Sequence, residues 1–459
     1  MRRLLFPVLM WLASCMPAAT PETASRAAAS LGDLGPLPAM KRFVQAHPTP
    51  PTISNADLAR DVLDLAFALE SGRALEQFSR FEAPVTVSVQ GKAPPSMGPD
   101  LDRLLARLRR EAGIDISRVG GGEAGITLVA VPRDEIRRHL PQAACFVVPN
   151  VSSLQDYLSA RNSRRVSWTS VTRRERVAIF LPADAAPQEL RDCLHEEIAQ
   201  ALGPLNDLYR LGDSVFNDDN VHTVLTGYDM TVLRVFYDPA LRSGMRRDEI
   251  AARLPSILAR VNPEGSLHQA RRLPPTPRDW SAAVQTALGP GTDYDARLRA
   301  ASSALGIAER EGWRDHRLGF SHYAMGRLLQ GSDAEAARRA FLRARDAFEH
   351  APDTALHQAY VAAQLAAYEI HANRPEAALA LTAPHLDTAM RHENAALLST
   401  LLLLRSEALD LAGRASESQL VKLDSLGWAR YGFGPDWAVR AKAREIGSLN
   451  PLKGGRGAG

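Results

Sequence analysis

Apolar residues from Asp57 to Leu69 recur every three or four positions, and Val85, Val87 and Val89 alternate with polar ones, so the pattern predicts a helix starting at Asn55 or Asp57 and then a half-buried strand. Asp100 to Ala112 reads as a second amphipathic helix closed by Gly113, and Ile126 to Val131, Phe146 to Val148 and Val177 to Leu181 read as strands. The glycines at 120, 121, 122 and 125 lack the Lys and Ser/Thr of a phosphate loop and predict a turn. Another apolar stripe, Leu190, Leu194, Ile198, Ala201 and Leu202, is broken by Gly203.

Beyond Arg260 the strand signals stop, and a proline-rich bridge from Leu273 to Arg278 leads into continuous helical periodicity. Gly331, Ala372 and Gly413 are spaced by 41 residues, as are Glu335, Glu376 and Glu417, and Leu329, Ile370 and Leu411. A fixed period of this length predicts an array of helical hairpins. Ser332 and Glu335 read as a capping box, with Ala337, Ala340, Phe341, Ala344 and Phe348 on the buried face, and Pro375 suits a first helical turn. The small residues at turn and packing positions resemble tetratricopeptide repeats, although the period exceeds that family's usual 34. The expected domains are an α+β domain over 51–260 and an all-α helical-hairpin repeat domain over 280–449.

With 45% hydrophobic and 23% charged residues among 459, the chain has the balance of a folded globular protein. The 55 basic and 52 acidic residues are interspersed, which argues against a nucleic-acid partner. Arg2 and Arg3, the apolar stretch Leu4 to Ala13 and the small residues after it predict a bacterial secretory signal over 1–14. Leu12, Ala13, Ser14 and Cys15 fit a lipobox, so Cys15 is the expected lipidation site, and 15–50 reads as a flexible tether. Met16 after that cysteine resembles outer-membrane sorting, so the expected location is the periplasmic side of an envelope membrane. In that oxidising compartment Cys145 and Cys193 are expected to pair, closing a loop of about 47 residues.

The candidate chemistry begins at Cys193. His195 and Glu196 invite a His-Glu-x-x-His reading, but its second ligand would be Ala199. One residue later, Glu196, Glu197, Gln200, Gly203 and Asn206 occupy the five key places of the metzincin pattern His-Glu-x-x-His-x-x-Gly-x-x-His. Positions i and i+4 lie about 40° apart on a helix, and a glycine three further on lets the chain bend and return a third side chain. Ser214, Val215 and Phe216 fall where metzincins place the Met-turn, and Leu225, Thr226, Asp229, Leu233 and Tyr237 match the helix after it. The stretch, with Cys193, Asn206 to Asp207, Phe216 to Asp218, Leu225 to Asp229 and Tyr237 to Met245, resembles the bacterial lipoproteins of domain of unknown function 2927 over roughly residues 50–250. The implied fold is an α+β, zinc-protease-like domain followed by tetratricopeptide-like helices.

Three imidazoles hold zinc in such a site and the adjacent Glu is the general base. Here Glu197 keeps the base position, the ligand places are Glu196, Gln200 and Asn206, and Phe216 replaces the Met. Carboxylate and amide oxygens form a hard set suited to calcium or magnesium, so no zinc cofactor is expected, while a divalent cation stays open. Two readings follow. One is a non-catalytic module that binds proteins or peptides through the cleft and the helical repeats. The other is an atypical metal-dependent peptidase with Glu197 as base, in which His195 or His222 supplies a ligand. His195, about 100° around the helix from Glu196, is expected to face solvent or pack locally. Asp207, Asn217 and Asp218 sit in loops, as cation ligands or turn caps.

Overall fold

The computed structural model describes residues 35–44, 48–139 and 144–454. The signal segment and Cys15 lie outside the described residues.

The first half is α+β. Helix α1 (Asn55–Ala66) starts one turn earlier than its apolar stripe because Ser54 accepts a hydrogen bond from the Asp57 amide. It leads to β1 (Val85–Gly91), α2 (Met97–Glu111), β2 (Ile116–Arg118), β3 (Ile126–Val131), α3 (Arg133–His139), β4 (Phe146–Pro149), α4 (Leu154–Ala160), β5 (Val177–Pro182) and α5 (Pro187–Leu202). Two further helices, α6 (Gly227–Phe236) and α7 (Arg247–Val261), complete it. The five strands form one sheet in the order β2-β1-β3-β5-β4, parallel except for β4, which runs antiparallel to β5 at an edge.

The central strands β3 and β5 are buried at every position, as continuous apolar runs require when both faces are covered. Ile126, Leu128, Val177, Ile179 and Leu181 face the main core with α1, α2 and α5 to α7, while Val129, Val131, Ala178 and Phe180 face a smaller core with Ile136 and Tyr157. Helix α2, the crossover from β1 to β2, and α5, which follows β5, pack against each other on the same side of the sheet. The glycines at 120 to 122 lie in a bend between β2 and β3, as read.

The second half is helical: α8 (Arg278–Leu288), α9 (Tyr294–Arg310), α10 (His316–Leu329), α11 (Ala334–His350), α12 (Ala355–His371), α13 (Pro375–Thr382), α14 (Leu386–Arg391), α15 (Ala395–Leu411), α16 (Ala415–Phe433), α17 (Asp436–Gly447) and α18 (Pro451–Gly454). Helices α8 with α9, α10 with α11, α12 with α13 and α15 with α16 pack as consecutive pairs. Ala337, Ala340, Phe341, Ala344 and Phe348 are all buried, and Pro375 opens α13. The capping box expected at Ser332 is instead an Asp333 cap, whose carboxylate accepts from the Ala336 amide at 2.9 Å. Asp caps as well as Ser, and one residue's shift lets it take the role. Among the described residues no helix is long and apolar enough to cross a membrane.

The expected tether ends earlier than residue 50. Leu37, Met40 and Phe43 pack against the second core, Phe43 stacks on Trp428 with ring centroids 4.6 Å apart, and the Arg430 guanidinium donates to the Pro38 carbonyl at 2.9 Å. Three large apolar residues within seven positions give this stretch an anchor that the tether reading overlooked.

Candidate functional site

The expected disulfide joins Cys145, just before β4, to Cys193 in the middle of α5. It pins the helix that carries the candidate site to the edge of the sheet. Pro187 opens α5 and Gly203 closes it, but not by the left-handed bend expected from the glycine: its φ of 178° is extended backbone. Glycine is required there for space, since a Cβ would lie 2.3 Å from Cδ1 of Phe236. The carbonyls that the helix end leaves open are taken by buried Arg174, which donates to Gln200, to Ala201 at 2.8 Å and to Gly203 at 2.6 Å. Burial lowers the Arg174 pKa to about 10, so the guanidinium stays charged at neutral pH, 4.8 Å above the Trp168 ring.

Two of the three side chains in ligand places are bound to different partners. Gln200 donates to a Glu70 carboxyl oxygen at 3.4 Å, and Asn206 donates to the Asp64 main-chain carbonyl at 3.0 Å, both near the end of α1. Glu196 shares the Glu70 neighbourhood without a basic partner. The residue that turns toward this group from the loop is Asp207, hydrogen-bonded to Glu70, and not Asn206. Among the described residues, no three histidine, cysteine or carboxylate groups gather around Glu196 at metal-binding distance. Gln200 and Asn206 thus bond to residues outside the motif, and beside them lie the acidic side chains Glu70, Glu196, Glu197, Asp207 and Asp218.

The surroundings of these carboxyls favour the protonated form. Burial is the main cause and like charge the next: Glu196 is pushed up to about 8 by burial and then by Glu70, Asp218 and Asp192. Asp218 rises to about 7 by burial and then by Glu70, against hydrogen bonds from Gln285 and Tyr209 at 3.1 and 2.9 Å. Glu197 and Asp207 rise well above the usual carboxylate range for the same two reasons, and each has one buried oxygen without a partner, Oε2 and Oδ1 respectively. A carboxyl that keeps its proton at neutral pH is poorly suited to the general-base role expected of Glu197.

Phe216 is fully buried, with its amide bonded to the Ser214 hydroxyl at 2.9 Å and its carbonyl accepting from the Leu208 amide at 2.8 Å. Asp229, in the capping box at the start of α6, ties this turn down: it accepts from Ser214 Oγ at 2.5 Å and from the Val215 amide at 3.2 Å. His195 faces inward, accepting at Nδ1 from the Leu225 amide at 3.0 Å, and burial keeps it neutral by lowering its pKa well below the usual imidazole range. The solvent-facing alternative for His195 fails because that face of α5 packs on the loop before α6.

Sequence reading missed Glu70, Arg174 and Arg191. Glu70 and Arg174 lie in loops far from the motif in the chain, and no local pattern marks them. Arg191 is completely buried on α5, 3.0 Å from Asp192 and 3.7 Å from Glu393, which Arg103 also meets at 2.8 Å. The same face of α5 holds the helical half through Gln188, which accepts from the Ala396 amide at 2.9 Å.

A second polar centre lies where the two halves meet. His222 Nε2 is 3.1 Å from Asp213, His357 Nε2 is 2.8 Å from Asp219, and His392 comes from the helical half. Asp213 also lines a cleft open to solvent, with Asp57, Asp61, Arg210, Tyr228 and Arg271.

Residues 55–256 match the family described as protein of unknown function (DUF2927). The match runs from the first residue of α1 into α7 and takes in the whole sheet, α5 and the turn at Phe216. No curated protein and no solved structure matches the chain.

Proposed function

We propose that this chain is a lipid-anchored envelope protein whose DUF2927 segment is a metzincin-like scaffold that no longer works as a zinc peptidase and instead binds proteins or peptides. The observation that carries this reading is the fate of the motif side chains: Gln200 bonds to Glu70 and Asn206 to Asp64, and Glu197 is buried beside Glu196 and Glu70, which raises its pKa well above the usual carboxylate range. What supports the scaffold is the arrangement around them, a helix leaving a central strand, a glycine packed against Phe236, and a turn at Phe216 held by Asp229. Binding falls to the cleft beside α1 and to the tetratricopeptide-like pairs, which are rich in small residues and stack into a continuous layer.

The experiment compares the full chain with its Glu197→Gln variant for cleavage of an unfolded protein in the presence of added zinc, and for capture of a peptide library. The expected result is no turnover by either protein and equal peptide capture. Zinc-dependent turnover that disappears in Glu197→Gln overturns the reading in favour of the atypical peptidase. The envelope location is tested by fractionation: Cys15→Ala is expected to move the protein from the membrane to the soluble fraction.

A further inference from the structure

We propose that Asp213, His222 and His392 form a binding site for one divalent transition-metal ion, separate from the degenerate motif on α5. One ligating atom from each lies within 4.8 Å of the other two, the sole such grouping of histidine, cysteine and carboxylate groups among the described residues. A tetrahedral ion with bonds of about 2.1 Å needs ligand atoms about 3.4 Å apart. Asp213 and His222, at 3.1 Å, are already close to this spacing, and the three groups lie within 4.8 Å of one another.

The second observation is an orphan. His222 has a side chain 2% exposed, and its Nδ1 is buried without a hydrogen-bond partner, although buried ring nitrogens are normally satisfied. One nitrogen of this imidazole rests on a carboxylate and the other has no protein partner, so the ring is not fully committed within the protein.

The surroundings fit a metal centre. His357 lies against His222 with ring centroids 6.0 Å apart and is itself fixed by Asp219, which accepts from Asn217 at 2.9 Å and from the Val221 amide at 3.0 Å. The residue after His392, Glu393, sits in the left-handed region at φ 50° and is held by Arg103 and Arg191, so the turn presenting His392 is anchored on both sides. Asp213, with its side chain 30% exposed, faces the open cavity, which supplies a route for the ion and leaves a coordination position for water.

Two imidazoles and one carboxylate suit zinc, iron(II) or cobalt(II) better than calcium or magnesium, which prefer all-oxygen sets. Because His392 belongs to the helical half and the other two ligands to the DUF2927 segment, the ion bridges the two halves. None of its residues occupies a motif place on α5, although His222 is also a ligand that the atypical peptidase reading offered, so the α5 variant below separates the two.

The test uses the full-length chain, stripped with chelator and titrated with Zn²⁺ and then Co²⁺. The expected result is one equivalent of bound metal, a visible Co²⁺ absorption of a nitrogen-containing site, and a higher unfolding temperature than in chelator. His392→Ala and Asp213→Asn are each expected to weaken binding about tenfold or more, while Glu196→Gln keeps the full equivalent. His392→Gln, which keeps polarity and volume, serves if His392→Ala does not fold. Failure of the parent to take up metal overturns the proposal. So does unchanged affinity in the Asp213 and His392 variants, or loss of binding in Glu196→Gln, which assigns the ion to α5.

Discussion

Gly203 and Glu196 show how single residues set the character of α5. The glycine exists for the Phe236 ring, so Gly203→Ala is expected to cost about 1–3 kcal/mol by forcing that ring aside, read as a lower midpoint in denaturant with unchanged slope. Glu196 titrates near 8 in the folded chain and near 4.5 when unfolded. Between those values the folded state holds the extra proton, so this group's stabilisation is complete below about pH 4 and declines as pH rises toward 8. Asp218, near 7, acts in the same direction. Glu196→Gln is therefore expected to be nearly neutral at pH 5 and to stabilise by about 1–3 kcal/mol at pH 8, measured by thermal unfolding across that range. A flat difference between parent and variant refutes the charge-crowding account. The motif residues themselves were legible because their spacing along the chain is local. Glu70 was not, because the segment after α1 that carries it meets α5 only in the folded chain.

At the scale of elements, the strands β1, β3, β4 and β5 and the helices α1, α2 and α5 follow from apolar periodicity, with shifts of two or three residues at their ends. Some helix ends are set by capping side chains, Ser54 before α1 and Asp333 before α11, while α2 and α5 begin without one. The hairpin array was legible from its 41-residue period, but helix starts at 334, 375 and 415 show the last step shortened by one. A repeat is held together by packing between neighbours, which tolerates such slips in the turns. The disulfide between Cys145 and α5 closes the longest covalent loop of the sheet domain. Replacing both cysteines by Ala is expected to lower stability by about 2–5 kcal/mol, and reduction of the parent should produce the same loss in chemical denaturation.

Over the whole molecule, the two halves are held by buried charge as well as by apolar contact. Arg191 lies between Asp192 and Glu393 with the rings of Phe43 and Tyr431 against it. Arg191→Met leaves Glu393 with Arg103 alone and is expected to destabilise by about 3–5 kcal/mol, whereas the Arg191→Met, Glu393→Gln double variant should recover part of that loss in a double-mutant cycle. Strictly additive losses refute the coupling. The amino-acid sequence by itself determined the longer elements β1, β3, β4, β5, α1, α2 and α5, the helical second half, the pairing of Cys145 with Cys193, and the absence of histidine at 196, 200 and 206, because each is written in local spacing or in residue type. The short β2, α3 and α4 were not read. Only the tertiary structure decided that the motif's polar groups turn to α1, that five acids share one pocket, and that His222 meets His392 across 170 residues of chain. Those outcomes depend on long-range packing, which brings together groups that no periodicity relates.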